Sequence, residues 1–166
     1  MGHTYTRLYV HAVWSTKDRR PLITPALQAK LYPYVGGIAR KHGFTTVAVG
    51  GIEDHIHILL TLPGNLSIAK AVQLIKGGSA KWVNDTVAVE GGFAWQEGYG
   101  AFTIGVSQVE RTVAYIEGQA EHHQKQTFQE EFIQFLETHG IEYDPRLMNV
   151  NYISLAHCIT GKVTLA

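Results

Sequence analysis

From Thr4 to Ser15 the chain carries the β-formers Tyr5, Leu8, Tyr9, Val10, Val13 and Trp14, and a strand is predicted there, closed by the polar, proline-ended stretch Ser15–Pro21. Thr24 followed by Pro25 is an N-cap with proline at the first helical position, and Gly43 ends the helical segment that follows. Phe44–Val49 reads as a second strand, Gly50-Gly51 as a break, and His55–Leu62 as a third strand ended by Pro63-Gly64. Helical patterning returns over Ser67–Asp85, with Gly77-Gly78 as an expected kink, and Tyr99–Val106 reads as a fourth strand. Ser107-Gln-Val-Glu110 has the form of a capping box and predicts a helix over 108–123. Thr127-Phe-Gln-Glu130 repeats it and opens a last helix running to His139 and stopped by Gly140. Strands joined by hairpins and helical crossovers predict an α+β fold, one antiparallel sheet with helices largely on one face.

Composition narrows this picture. At 166 residues the chain has the length of one domain, and 45% hydrophobic against 17% charged residues excludes disorder. A chain of this size buries about two-thirds of its unfolded surface and needs no staple. The lone Cys158 offers no disulfide framework and no CxxC zinc knuckle, which suits a reducing compartment. No apolar run approaches the ~18 residues of a membrane span, so a soluble, cytoplasmic chain is expected.

Net charge is zero, but its distribution is lopsided: residues 1–45 carry seven bases against the single acid Asp18, whereas residues 127–166 carry two bases against five acids. A basic end can meet phosphates across a Debye length of about 8 Å whatever the far end carries. Lys17, Arg19 and Arg20 after the first strand, with Lys70, Lys76 and Lys81 on the second helix, are the candidate phosphate contacts; Lys70 and Lys81, eleven residues apart, share a helix face.

The sharper chemistry begins on the third strand. Strand side chains alternate, so His55 and His57 project to one side and Ile56 and Ile58 to the other. The two histidine Cα atoms, about 6.6 Å apart, suit imidazoles converging on one metal ion. A bare His-x-His is by itself more often a hydrogen-bonded or wet pair. Tyr115 and Gln119 stand one turn apart on the predicted late helix, and His122 or His123 continues their row. Taken singly, Tyr115 is explained by packing with a wet hydroxyl. His-Ile-His, an aligned Tyr and Gln, and a basic amino-terminal third are together hard to credit to chance.

The blocks His11–Arg20, His55-Ile56-His57, Trp95–Phe102, Tyr115-Ile-Glu-Gly-Gln119 and Gly140–Pro145, in this order between Tyr5 and Arg146, resemble the single-tyrosine transposases of the HUH endonuclease superfamily, including the REP-associated tyrosine transposases. The resemblance implies a ferredoxin-like core over residues 1–147, with residues 148–166 a tail of unassigned role. It makes Tyr115 the nucleophile, and His55, His57 and Gln119 the ligands of a divalent metal. It implies Mg²⁺ or Mn²⁺ as that metal, where ligand type alone also admits Zn²⁺ or Co²⁺. The partners implied are single-stranded DNA with hairpin ends and a second copy of the chain. Two other readings fit the histidine spacing: a metal-dependent phosphodiesterase that activates water, and a domesticated module that binds folded single strands without cutting. In the tail, Tyr152, His157 and Cys158 suggest no role.

Overall fold

The computed structural model describes residues 5–123 and 125–145. Four strands, β1 (Leu8–Ser15), β2 (Thr45–Ile52), β3 (His55–Leu62) and β4 (Gly100–Ile104), form one antiparallel sheet in the order β2-β3-β1-β4. Helix α1 (Pro25–Lys41) crosses from β1 to β2, and α2 (Ile68–Thr86) from β3 to β4. This is the ferredoxin-like arrangement. After β4 come α3 (Val109–Glu117), α4 (Gln119–His122) and α5 (Phe128–Thr138). Among the described residues no helix is long and apolar enough to cross a membrane.

The two longest helices lie on one face of the sheet, as expected. Val10, Ala12, Trp14, Ile56, Ile58, Leu60 and Leu62 point into their layer and meet Leu31, Val35 and Ile38 of α1 and Val72 and Ile75 of α2. Thr24 caps α1 by accepting from the Leu27 amide at 3.3 Å, Pro25 occupies the first turn, and Gly43 closes the segment at φ 78°. Gly77-Gly78 does not kink α2, which runs unbroken; a Cβ at Gly78 would come 2.9 Å from Ile38 Cδ1, so the glycine serves helix-to-helix approach.

The opposite face is covered by the shorter helices. Val13 and Phe102 pack against Phe128, Phe132 and Leu136 of α5, and Ala48 and Leu59 against Ile116 of α3. Gly50-Gly51 is not a break, since β2 runs through both and pairs Gly50 with His57. A Cβ at Gly50 would lie 2.0 Å from the Ile116 carbonyl oxygen, so the bare backbone admits the end of α3 against the sheet. The helix predicted over 108–123 is interrupted at Gly118. Its cap also differs: Gln108 Oε1 accepts from the Gly105 amide at 3.2 Å in place of a Ser107/Glu110 pair. The Thr127/Glu130 box forms as predicted, with Thr127 Oγ1 accepting from Glu130 N and Glu130 Oε2 accepting from Thr127 N at 2.9 Å.

Candidate active site

Alternation along β1 and β3 puts His11, His55 and His57 on the face that α3, α4 and α5 cover, and all three are buried. Each β3 histidine has one ring nitrogen secured. His55 Nδ1 meets Asp54 Oδ1 at 2.7 Å, and Asp54 accepts from Arg19 Nη2 at 2.9 Å and Arg19 Nε at 3.2 Å. Burial raises the Asp54 pKa, but the His55 and Arg19 contacts outweigh it and hold the carboxyl below its ordinary value. His57 Nδ1 meets His11 Nε2 at 3.0 Å. A His57 that donates through Nδ1 keeps the Nε2 lone pair free, and Nε2 is buried without a hydrogen-bond partner.

Tyr115 and Gln119 reach this centre across the Gly118 break, which leaves them stacked: Gln119 Nε2 donates to the Tyr115 carbonyl at 3.3 Å. The Tyr115 ring lies 5.8 Å from that of His57, edge to face, within one chain. Gln119 is buried, its Oε1 lying 3.5 Å from His55 Nε2 and 2.9 Å from His123 Nε2.

Two further groups complete the centre. Glu131, on α5 and 2% exposed, accepts a hydrogen bond from the Tyr115 hydroxyl on Oε1. Its Oε2 is buried without a hydrogen-bond partner, 3.3 Å from His57 Nε2 and 3.4 Å from His123 Nε2. Donor atoms of His55, His57, His123 and Glu131 all lie within 4.8 Å of one another. Burial, reinforced by the Asp54 charge, pushes the Glu131 pKa up to about 8. Burial and the neighbouring imidazoles push His57 well down, and burial with the His55 charge takes His123 to about 4. At neutral pH the contact between Glu131 and His57 is therefore between neutral groups rather than an ion pair. Two facing lone pairs at this distance call for a proton or a cation between them.

The basic residues fare unevenly. Lys17 is exposed, while Arg19 is bound to Asp54 and lies over the Phe128 ring at 5.3 Å. Arg20 donates to the carbonyls of Glu90 at 2.7 Å and Gly92 at 3.4 Å. Lys70 and Lys81 are exposed on the outer side of α2, across the sheet from His57, with Lys81 paired to Asp85 at 2.7 Å. Lys76 departs from the charge-based expectation: its Nζ donates to the carbonyls of Gln96 at 2.5 Å and Gly98 at 2.6 Å. Burial takes its pKa down to about 8, with Glu97 opposing, so this ammonium is committed to the fold. Tyr152, His157 and Cys158, with the boundary at 147/148, lie outside the described residues.

His11 and Glu131 carried no functional reading in the sequence. A signal was present for Glu131: it sits in the apolar row formed by Phe128, Phe132, Phe135 and Leu136. His11 shares a strand face with Val13 in the same way.

A ferredoxin-like sheet whose His-x-His strand faces one tyrosine is the arrangement of the single-tyrosine DNA transposases. The chain belongs to the IS200-like transposase family, whose model, described as "Transposase IS200 like", matches residues 4–119. It is 25% identical over 123 residues to the ISDra2 transposase TnpA of Deinococcus radiodurans, covering 71% of this chain and 87% of the relative. A crystal structure assigned as a transposase from Deinococcus radiodurans R1 superposes with a TM-score of 0.58 at 26% identity, over 72% of this chain and 96% of that one. The structure of a REP-associated tyrosine transposase bound to a REP hairpin superposes with a TM-score of 0.55 at 17% identity, over 74% and 73% of the two chains, a likeness of fold. Transposition is thus the activity of the chain's family, and α5 with Glu131 lies beyond the matched segment.

Proposed function

We propose that the protein cuts and rejoins single-stranded DNA through Tyr115, forming a 5′-phosphotyrosine and releasing a 3′-hydroxyl. One observation carries this reading: the Tyr115 hydroxyl and the partnerless His57 Nε2 converge on the same buried carboxylate, Glu131. The phenol oxygen attacks the scissile phosphorus, its proton passing to Glu131 in the ionised form that a cation at the centre would favour, and the P–O3′ bond breaks with O3′ taking a proton from water. A second 3′-hydroxyl then displaces the tyrosine, so the phosphodiester is remade without nucleotide hydrolysis. Freeing a phenolate from a tyrosine of ordinary pKa costs about 4 kcal/mol at pH 7, which an ionised Glu131 and a cation held by the histidines would offset.

The donors fit a divalent ion: His55 and His57 each present one nitrogen with the other secured, and Gln119, His123 and Glu131 offer further atoms at the same centre. When bound, Mg²⁺ or Mn²⁺ supplies charge neutralisation at the phosphate and leaving oxygens. Gln119 is assigned as the third ligand, with Glu131 and His123 as its neighbours. Tyr115 serves the site of its own chain, in a protein that pairs with a second copy. Lys17, Arg19, Arg20, Lys70 and Lys81 are assigned to the DNA backbone, with hairpin ends as the structured part of the substrate; Arg19 does so while holding Asp54. Residues 1–147 form the transposase domain, and residues 148–166 carry no assigned role.

The test is single-stranded DNA labelled at either end, incubated with Mg²⁺ or Mn²⁺ and run on a denaturing gel. A protein adduct that retains the downstream strand, depends on metal and disappears in Tyr115→Phe is expected. Cutting by Tyr115→Phe at the parent's rate would remove Tyr115 as nucleophile and favour attack by water.

A further inference from the structure

A groove of about 350 Å³ runs between α3 and α5, with β1 and β4 as its floor and Tyr115 at its inner end. It extends beyond the histidine centre, and the chemistry above uses only its inner end. Arg111 lines it one turn before Tyr115, exposed, and makes no hydrogen bond, ion pair or ring contact among the described residues. The α5 wall is aromatic: Phe135 stacks on Phe102 at 5.2 Å, and the exposed His139 lies 4.5 Å from the same Phe102 ring. Two carboxamides complete the lining. Gln108 Oε1 is engaged by the Gly105 amide and Gln134 Oε1 by Gln126, so N–H groups of both remain for an outside acceptor.

We propose that this groove takes one unpaired nucleotide of the DNA strand, next to the phosphate that Tyr115 attacks. The base would stack against the Phe135 and His139 rings, its acceptors meeting the carboxamides of Gln108 and Gln134, while Arg111 meets the phosphate. A duplex does not fit, because ring stacking needs an extruded or unpaired base. The proposal deepens the reading of Tyr115 as nucleophile and rests on it for its position along the strand.

Binding is measured on Tyr115→Phe protein, with a fluorescein-labelled mixed-sequence single strand and a strand of the same sequence bearing 2-aminopurine. Arg111→Ala is expected to weaken binding about five-fold or more and to flatten the dependence of log Kd on log salt by about 0.7. His139→Ala is expected to weaken binding less, while relieving quenching of the 2-aminopurine fluorescence, which loss of a merely structural side chain would not do. Both positions are exposed, and unchanged thermal melting would show that the fold is intact. If both variants bind within about two-fold of the parent with an unchanged salt slope and unchanged quenching, the groove is not a nucleotide site. The two ideas fail separately: parent-level cutting by Tyr115→Phe overturns the nucleophile, and a parent-like adduct with indifferent groove variants overturns only the groove.

Discussion

The two faces of one sheet are built from the same strands to opposite ends. On β3, Ile56, Ile58, Leu60 and Leu62 face α1 and α2, whereas His55 and His57 share the other face with Leu59. Both faces are dry. The first draws its free energy from area removed from water, and its contacts are interchangeable in kind. The second keeps nitrogen and oxygen lone pairs out of water with some of them unmet, at His57 Nε2 and Glu131 Oε2, which costs stability. Removing a side chain should therefore mean different things on the two faces.

The widest contrast is between neighbours on β3. Ile58→Ala should destabilise the fold by about 2–5 kcal/mol in denaturant melts, with or without metal. His57→Gln should change metal-free stability by no more than about 2 kcal/mol, yet abolish adduct formation and the stabilisation that Mn²⁺ gives the parent. Equal losses of stability from the two changes would mean that the histidine face is ordinary core.

A smaller effect should follow pH. The Glu131 pKa of about 8 in the fold stands above its ordinary 4.5, so the folded protein favours the protonated acid and the unfolded chain the ionised one. Its contribution is complete below pH 4.5 and drains away as pH rises toward 8. Glu131→Gln cannot ionise, so in chelator at pH 8 it should exceed the parent by a few kcal/mol, with the gap closing toward pH 5. A constant gap across that range would show that the carboxyl titrates normally.

The mildest change is remote. Arg19→Ala leaves every donor atom in place but releases Asp54, the partner of His55 Nδ1, and should lower Mn²⁺ affinity about ten-fold by calorimetry. Unchanged affinity would reduce the Arg19 contact to a surface pair.

What the sequence disclosed follows from how local each signal is. The bounds of β3, the Thr24 and Thr127 caps and the common side of His55 and His57 depend on neighbours a few positions away, and all appear as read. Tyr115 beside His57 is a long-range fact that spacing alone does not contain; resemblance to a family supplied it. Glu131 and Lys76 were hidden for a shared reason. Each sits in the apolar row of an amphipathic helix, where length and charge suggest solvent, and each is turned inward by partners brought from elsewhere: Tyr115 for one, the Gln96 and Gly98 carbonyls for the other. The Gly50-Gly51 pair misled for a related reason, since glycine marks either a turn or a close approach, and only the element lying above it distinguishes them.

That approach sets a height. Where β2 passes under the Ile116 carbonyl, the separation of strand and helix is the thickness of two bare backbones, because residue 50 adds nothing between them. Tyr115 immediately precedes Ile116, so the level at which its phenol stands above the imidazoles is inherited from that gap. A single methyl group at residue 50 would act as a shim, lifting the reactive oxygen away from the nitrogens while touching none of them.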